Sequence, residues 1–107
     1  MTGIVVVYCT CPTAVASELA NALVEARLVA CVNILPEVQS VYRWDGRICS
    51  DAEAMLVMKT TEERLEELTS HIASIHPYDV PEIIGMPVTH AHDPYLQWVL
   101  AQTTQAE

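Results

Sequence analysis

The spacing of apolar positions changes several times along this chain, and each change marks an element. Residues 3 to 10 carry the continuous run Ile4-Val5-Val6-Val7-Tyr8-Cys9, the pattern of a strand paired on both sides and covered on at least one face. After Pro12 the spacing turns helical: Ala16, Leu19, Ala20, Leu23, Val24 and the aliphatic stem of Arg27 recur every three or four residues. This predicts an amphipathic helix from Thr13, its N-cap, to about Arg27. A second strand opens near Ala30 as Cys31-Val32-Asn33-Ile34-Leu35, is interrupted at Pro36 and resumes from Val38 to Trp44; proline inside a strand points to an edge or a bulge. Asp45-Gly46 then signals a tight hairpin, because a type I′ turn needs positive φ at both central positions, and the chain returns as a strand from Arg47 to Lys59.

Thr60-Thr61-Glu62-Glu63 reads as a capping box that starts a second helix. Leu65, Leu68, Ile72 and Ile75 form its buried stripe, and His76-Pro77 ends it, since a residue before proline is pushed out of the α region. Glu82 to Val88 is the fourth strand. Asp93-Pro94 starts a short last helix through Trp98 and Leu100, with Asp93 as cap and Pro94 at the first helical position. The order β-α-β-β-α-β with an extra C-terminal helix defines an α+β, ferredoxin-like fold in which two helices cover one face of a four-stranded antiparallel sheet. The β2-β3 hairpin is longer than strands of small domains usually are, so its tip should project, and its open edges predict a homo-oligomer.

At 107 residues and 51% hydrophobic, residues 1-107 are expected to form one domain, with ends that look trimmed to a compact unit. Fourteen acidic residues against five basic ones give a charge of −9, which repels phosphate backbones and argues against a nucleic-acid partner. The N-terminal apolar run lacks a basic flank and falls well short of the ~20 residues that span a bilayer, so neither membrane insertion nor a signal peptide is expected. The expectation is a cytoplasmic protein in which Cys9, Cys11, Cys31 and Cys49 are reduced thiols.

The densest chemistry lies in Ile75-His76-Pro77-Tyr78-Asp79-Val80-Pro81-Glu82-Ile83, where an imidazole, a phenol and carboxylates meet at a forced break between helix and strand. Imidazole and thiolate suit borderline and soft metals, so His76 and the strand-end Cys9 are candidate ligands if the fold brings them together, with Glu82 as a third. The structural alternatives are a His76 that caps the preceding helix and a Cys9 that is a small buried hydrophobe. Cys11, Cys31 and Cys49 are weaker candidates. His90, His92 and Asp93 read as solvated loop, and His71 as part of a polar helix face. Tyr42 and Trp44 alternate onto one hairpin face and Lys59 closes its return strand, an arrangement for subunit packing or for a small polar pocket. The chain has no glycine-rich phosphate loop, Gly-x-Ser-x-Gly elbow, Cys-x-x-Cys or His-Glu-x-x-His, so no familiar enzymatic reading finds its local motif.

Four blocks in order, Ala30-Cys31-Val32-Asn33-Ile34-Leu35-Pro36, Ser40-Val41-Tyr42-Arg43-Trp44-Asp45-Gly46, Met58-Lys59-Thr60-Thr61 and His76-Pro77-Tyr78-Asp79-Val80-Pro81-Glu82-Ile83, resemble the CutA family of divalent-cation tolerance proteins. The match covers nearly the whole chain. The resemblance implies a ferredoxin-like homotrimer similar in architecture to the PII signalling proteins, with a cytoplasmic, non-enzymatic role linked to copper and other divalent metals. It also implies copper-binding positions at a strand-end cysteine, matched by Cys9, and at two successive histidines, of which the second is His76 and the first is replaced here by Ile75. Glu82, ahead of Cys11, is the residue that could compensate for that replacement.

Two functions follow as expectations. The leading one is a trimeric protein that binds Cu(II) or a similar divalent cation through Cys9, His76 and Glu82. The second is a PII-like sensor that holds a small organic ligand, expected to be an anion, between subunits against Trp44, Lys59 and Tyr78.

Overall fold

The computed structural model describes residues 2–104, and the order of elements is the one the periodicity predicts. Strand β1 (Ile4–Cys11) leads into helix α1 (Thr13–Glu25), strands β2 (Cys31–Trp44) and β3 (Arg47–Thr61) form the hairpin, and helix α2 (Glu62–Ile75) precedes strand β4 (Ile84–Pro87) and helix α3 (Asp93–Thr103). The strands lie in the order β2-β3-β1-β4, every pair antiparallel, which places β1 next to the last strand, as a split β-α-β fold requires.

Strand alternation sorts the side chains onto two faces. Val5, Val7, Cys9 and Cys11 of β1 point with Ala54, Leu56 and Met58 of β3 towards the helices, where Leu19 and Leu23 of α1 and Leu68 and Ile72 of α2 close the core. The other face carries Val6 and Tyr8 of β1, Met55 and Val57 of β3, and Ile84 and Met86 of β4, none of them fully buried. Helix α3 covers only one end of the protein, where Val99 packs with Ile4 and Ala30. Gly85 sits on the helix side of β4, where an added Cβ would lie 3.1 Å from Val5 Cγ1 of the neighbouring strand, close enough that Val5 would have to shift by a few tenths of an ångström, and 3.4 Å from a methyl of Leu65.

Asp45 and Gly46 both adopt positive φ, 52° and 74°, and make the tight turn that their sequence predicts. Pro36 does not split β2 in two. Its missing donor is accommodated by a register shift between Leu35 and Val38, and Thr13 Oγ1 donates to the Pro36 carbonyl at 3.0 Å, tying the start of α1 to that bulge. Helix α1 ends at Glu25, two residues before the expected end. Arg27 takes a left-handed conformation, φ 59°, while Leu28 N–H bonds Leu23 O and Arg27 N–H bonds Val24 O, a Schellman closure formed without glycine.

The predicted helix caps are not formed. Thr13 is the first helical residue, after Pro12, and spends its hydroxyl on Pro36. The capping box at residues 60–63 is absent because Thr60 lies within β3, fully buried, and donates to Leu28 O at 2.6 Å; Thr61 precedes the helix with no side-chain cap bond. Asp93 is likewise inside α3 rather than capping it, and His92 precedes it. Strand β4 is only four residues long, so Glu82 and Ile83 belong to the loop before it. Ile75 is 47% exposed instead of closing the α2 stripe, whereas Arg64 is buried there, with its guanidinium bonded to Arg27 O and to Glu67.

Leu68 is fully enclosed between α2 and the sheet. Leu68→Ala is expected to lower stability by about 3 kcal/mol, through lost burial and a residual cavity, and urea unfolding measures it. A loss under about 1 kcal/mol would mean that the layer between helix and sheet is not close-packed.

Candidate functional site

Two structural facts bring the ends of distant elements together. Strand β1 runs out at Cys11 beside the C-terminal end of α2, and His76, released from the helix by Pro77, takes an extended conformation with φ −73° and ψ 138°. Its ring, in a residue only 8% exposed, reaches Thr10 O from Nε2 at 2.8 Å. On the other side Nδ1 accepts the Tyr78 backbone N–H at 3.0 Å. A nitrogen that accepts an N–H carries no proton, so these partners fix the neutral tautomer with the proton on Nε2, donated to the Thr10 carbonyl. His76 therefore closes α2, anchors the following loop and staples both to β1.

Cys9 meets the same carbonyl. Its Sγ lies 3.6 Å from Thr10 O, so thiol and imidazole converge on one oxygen. The thiol is fully buried, and its pKa is pushed up to about 12, first by burial and then by the neighbouring Cys11, Glu82 and Glu53. Burial, followed by Glu53, also raises the pKa of Cys11. Glu82 is thus close enough for its charge to act on Cys9, although it sits in the exposed loop before β4.

The donors do not form a preassembled metal centre. Both ring nitrogens of His76 are engaged, the Cys9 thiol holds its proton, and among the described residues no three His, Cys, Asp or Glu side chains gather closely enough to hold one ion. Sulfur, nitrogen and carboxylate oxygen suit a borderline cation in kind, so the mismatch is one of geometry.

Next to this junction, on the face of the sheet turned away from α1 and α2, lies a cavity of about 610 Å³. Aromatic rings of Tyr42, Trp44 and Tyr78 and carboxylates of Glu53, Asp79 and Glu82 line it. Tyr78 OH donates to Glu53 Oε1 at 2.8 Å, joining the loop to β3; burial and then this bond raise the Tyr78 pKa. Its ring lies tilted against the His76 imidazole at a centroid distance of 4.8 Å. Tyr42 OH donates to Asp51, and this bond leads the causes that raise its pKa to about 12. Trp44 and Tyr78 thus line one cavity of this chain. Lys59 does not: it lies further along β3, paired with Val6 and Cys31, and its ammonium bonds Asn33 Oδ1. Within this one chain no basic side chain lines the cavity among the described residues.

Glu53 was not singled out by sequence. It is a 7%-exposed carboxylate in a strand, and the signal that could have marked it is its place on the same β3 face as Met55 and Val57, where an apolar residue would be expected. His90 and His92 lie exposed in the loop before α3, whereas Asp93 is exposed in the first turn of the helix itself.

The sheet order, the long ribbon and the junction define a ferredoxin-like protein in which a strand-end cysteine and a histidine share one backbone carbonyl. The sequence model for the CutA1 divalent ion tolerance protein matches residues 5–102, and the chain belongs to that family. It is 47% identical over 100 residues to a chloroplastic CutA protein of Arabidopsis thaliana, covering 92% of this chain and 55% of the plant protein. To the divalent-cation tolerance protein CutA of Thermus thermophilus it is 43% identical over 99 residues, covering 92% of this chain and 96% of that one. The crystal structure of CutA1 from Oryza sativa superposes with a TM-score of 0.92 at 39% identity, covering 99% and 100% of the two chains. This chain spans about half the length of the plant and animal relatives it matches. Among the described residues no helix is long and apolar enough to cross a membrane.

Two outcomes test the junction. His76→Ala removes two hydrogen bonds from a buried site and should cost about 2 kcal/mol, with faster hydrogen exchange at the Tyr78 amide. An unchanged Tyr78 amide would show that the ring does not hold the loop. Because the folded Cys9 pKa lies above the ordinary thiol value of 9.0, the native state keeps a proton that the unfolded chain loses. Stability should therefore be intact below pH 9 and fall as pH climbs towards 12, with a shallower fall in Cys9→Ala; urea midpoints measured across this range report it.

Proposed function

We propose that residues 1–107 act as one domain of a non-enzymatic, cytoplasmic homotrimer that takes part in divalent-cation tolerance by binding Cu(II) or a similar ion at Cys9, His76 and Glu82. The observation that carries this reading is the convergence of the Cys9 sulfur and the His76 Nε2 on Thr10 O, with the Glu82 charge acting on the thiol. Burial is the main reason the proton stays on sulfur; the smaller contribution from the negative charges of Cys11, Glu82 and Glu53 also favours a metal cation in its place. The ion has to compete with that proton and with the two hydrogen bonds of the ring, so binding is weak near neutrality and strengthens with pH, by up to about tenfold per unit where one proton is displaced.

Calorimetry with Cu(II) is the test. Heats are expected from the native protein and are expected to be lost in Cys9→Ser and His76→Ala; equal heats in all three would dismiss this site. Family membership supports the tolerance role, and the relatives are named for it.

The trimer is supported by the uncovered sheet face. Val6, Tyr8, Met55, Val57, Ile84 and Met86 form an apolar surface beyond the reach of α1 and α2, and the ribbon beyond it exposes Val41 and Ile48. Sedimentation should return three times the chain mass, and Met86→Glu should shift the equilibrium towards monomer. A native protein that sediments as a monomer at micromolar concentration would overturn the assembly.

A second reading is a PII-like sensor with a small organic ligand in the 610 Å³ cavity, favoured by a volume and aromatic walls typical of small-molecule sites. Trp44 and Tyr78 would contact the ligand, and Lys59 would contribute only across a subunit boundary.

A further inference from the structure

Arg27 is held at φ 59°, a left-handed conformation that is costly for a residue with a Cβ and free for glycine. It stands two residues past the end of α1 and is exposed, and its side chain reaches to another helix: Nη1 donates to Gln102 O in the last turn of α3 at 3.3 Å. Its own carbonyl accepts from Nε of the buried Arg64 at 3.3 Å, which fixes the backbone from which the guanidinium projects. Neither α1 nor α3 has a basic residue in its last turn. One guanidinium therefore serves the negative ends of two helices, which a glycine at this turn would not do.

Helix α3 has little else to hold it. Val99, with Leu96 partly buried beside it, rests on Ile4 and Ala30 in a small cluster separate from the core that α1 and α2 close. A gap of about 250 Å³, lined by Val24, Glu25, Arg27 and Gln102 among others, keeps the end of α3 from packing on α1. The chain just before the helix is fixed independently: Thr2 Oγ1 donates to Val88 O at 2.6 Å, and the Val88 N–H to Ile4 O at 2.9 Å. A fixed base at Val88, an irregular segment over residues 89–92 and a small buried contact are the parts of a hinged helix. Ile4 alternates onto the same sheet face as Val6 and Tyr8, so the position of α3 sets where that apolar face ends.

We infer that α3 is a latch: it opens as a unit about residues 89–92 while the sheet, α1 and α2 stay folded, and Arg27 is the catch that holds it shut. Opening uncovers Ile4 and Ala30 and lengthens the apolar face. The device stands apart from the junction of Cys9 and His76, which lies at the opposite end of β1.

Native-state hydrogen exchange on the full chain, with urea kept below the unfolding transition, tests it. Amides of α3 are expected to be less protected than those of β1 and β3 by about tenfold or more, with a weaker dependence on urea because less surface is exposed on opening. Arg27→Gly keeps the left-handed turn and removes the catch. It should speed exchange in α3 about fivefold while leaving β1 and β3 as protected as before, or more so. Arg27→Asn, which also tolerates the turn and is too short to reach Gln102, should do the same. Raising NaCl to about 0.5 M should loosen α3 in the native protein and not in Arg27→Gly, since exposed charge contacts are screened. Equal protection in α3 and β1 would overturn the latch, because the helix would then open only with the whole protein. A separately opening α3 that both variants leave unchanged, or variants that loosen α3 and β1 alike, would overturn Arg27 as the catch.

Discussion

One imidazole organises the functional end of this protein. His76 stands where α2 stops, and its two nitrogens bind backbone groups on opposite sides, the carbonyl of Thr10 in the first strand and the amide of Tyr78 in the following loop. Each bond is modest in water. Inside a nearly closed junction they cannot be exchanged for solvent without leaving polar backbone groups unsatisfied, so the ring behaves as a fixed strut. The loop it holds then delivers Tyr78 to Glu53 and sets Asp79 and Glu82 around the cavity.

The same strut explains why the junction draws a metal reading and resists forming a metal site unaided. Coordination needs a free lone pair on nitrogen and a thiolate, whereas the folded chain has committed the first to structure and raised the proton affinity of the second. Divalent-ion tolerance is the property for which the family is named, and the donors are of suitable chemical kind. Affinity here is a competition between coordination and a hydrogen-bonded fold.

Much of this architecture was legible from residue order because it depends on periodicity and turn chemistry. Alternation gave the strands, three- and four-residue spacing gave the helices, and Asp45-Gly46 gave the ribbon its turn. Helix ends were less legible. Thr13 and Thr60 have hydroxyls that could cap a helix, but tertiary acceptors, Pro36 O and Leu28 O, took them, and a linear motif does not show which acceptor lies nearest in space. The junction was readable as a cluster of chemistry, whereas the approach of Cys9 and His76 to one carbonyl was open from sequence and depends on how β1 lies against the end of α2. That Glu53 lies at the heart of the cavity and Lys59 outside it depended on the β2-β3-β1 register, which shifts at the Leu35–Val38 bulge.

The ribbon beyond that bulge has its own consequence for how related chains can diverge. From Val38 to Trp44 opposite Arg47 to Glu53, the two strands pair mainly with each other, outside the helix-covered layer. Lengthening both arms by two residues at the turn would preserve which side chains face the cavity and leave the core untouched. Lengthening them by one would leave those pairs in place but close the turn on a pair of the other hydrogen-bonding type, which a two-residue turn does not fit. The tip can therefore vary in even steps, and an odd change would have to be absorbed by another irregularity like the one at Pro36.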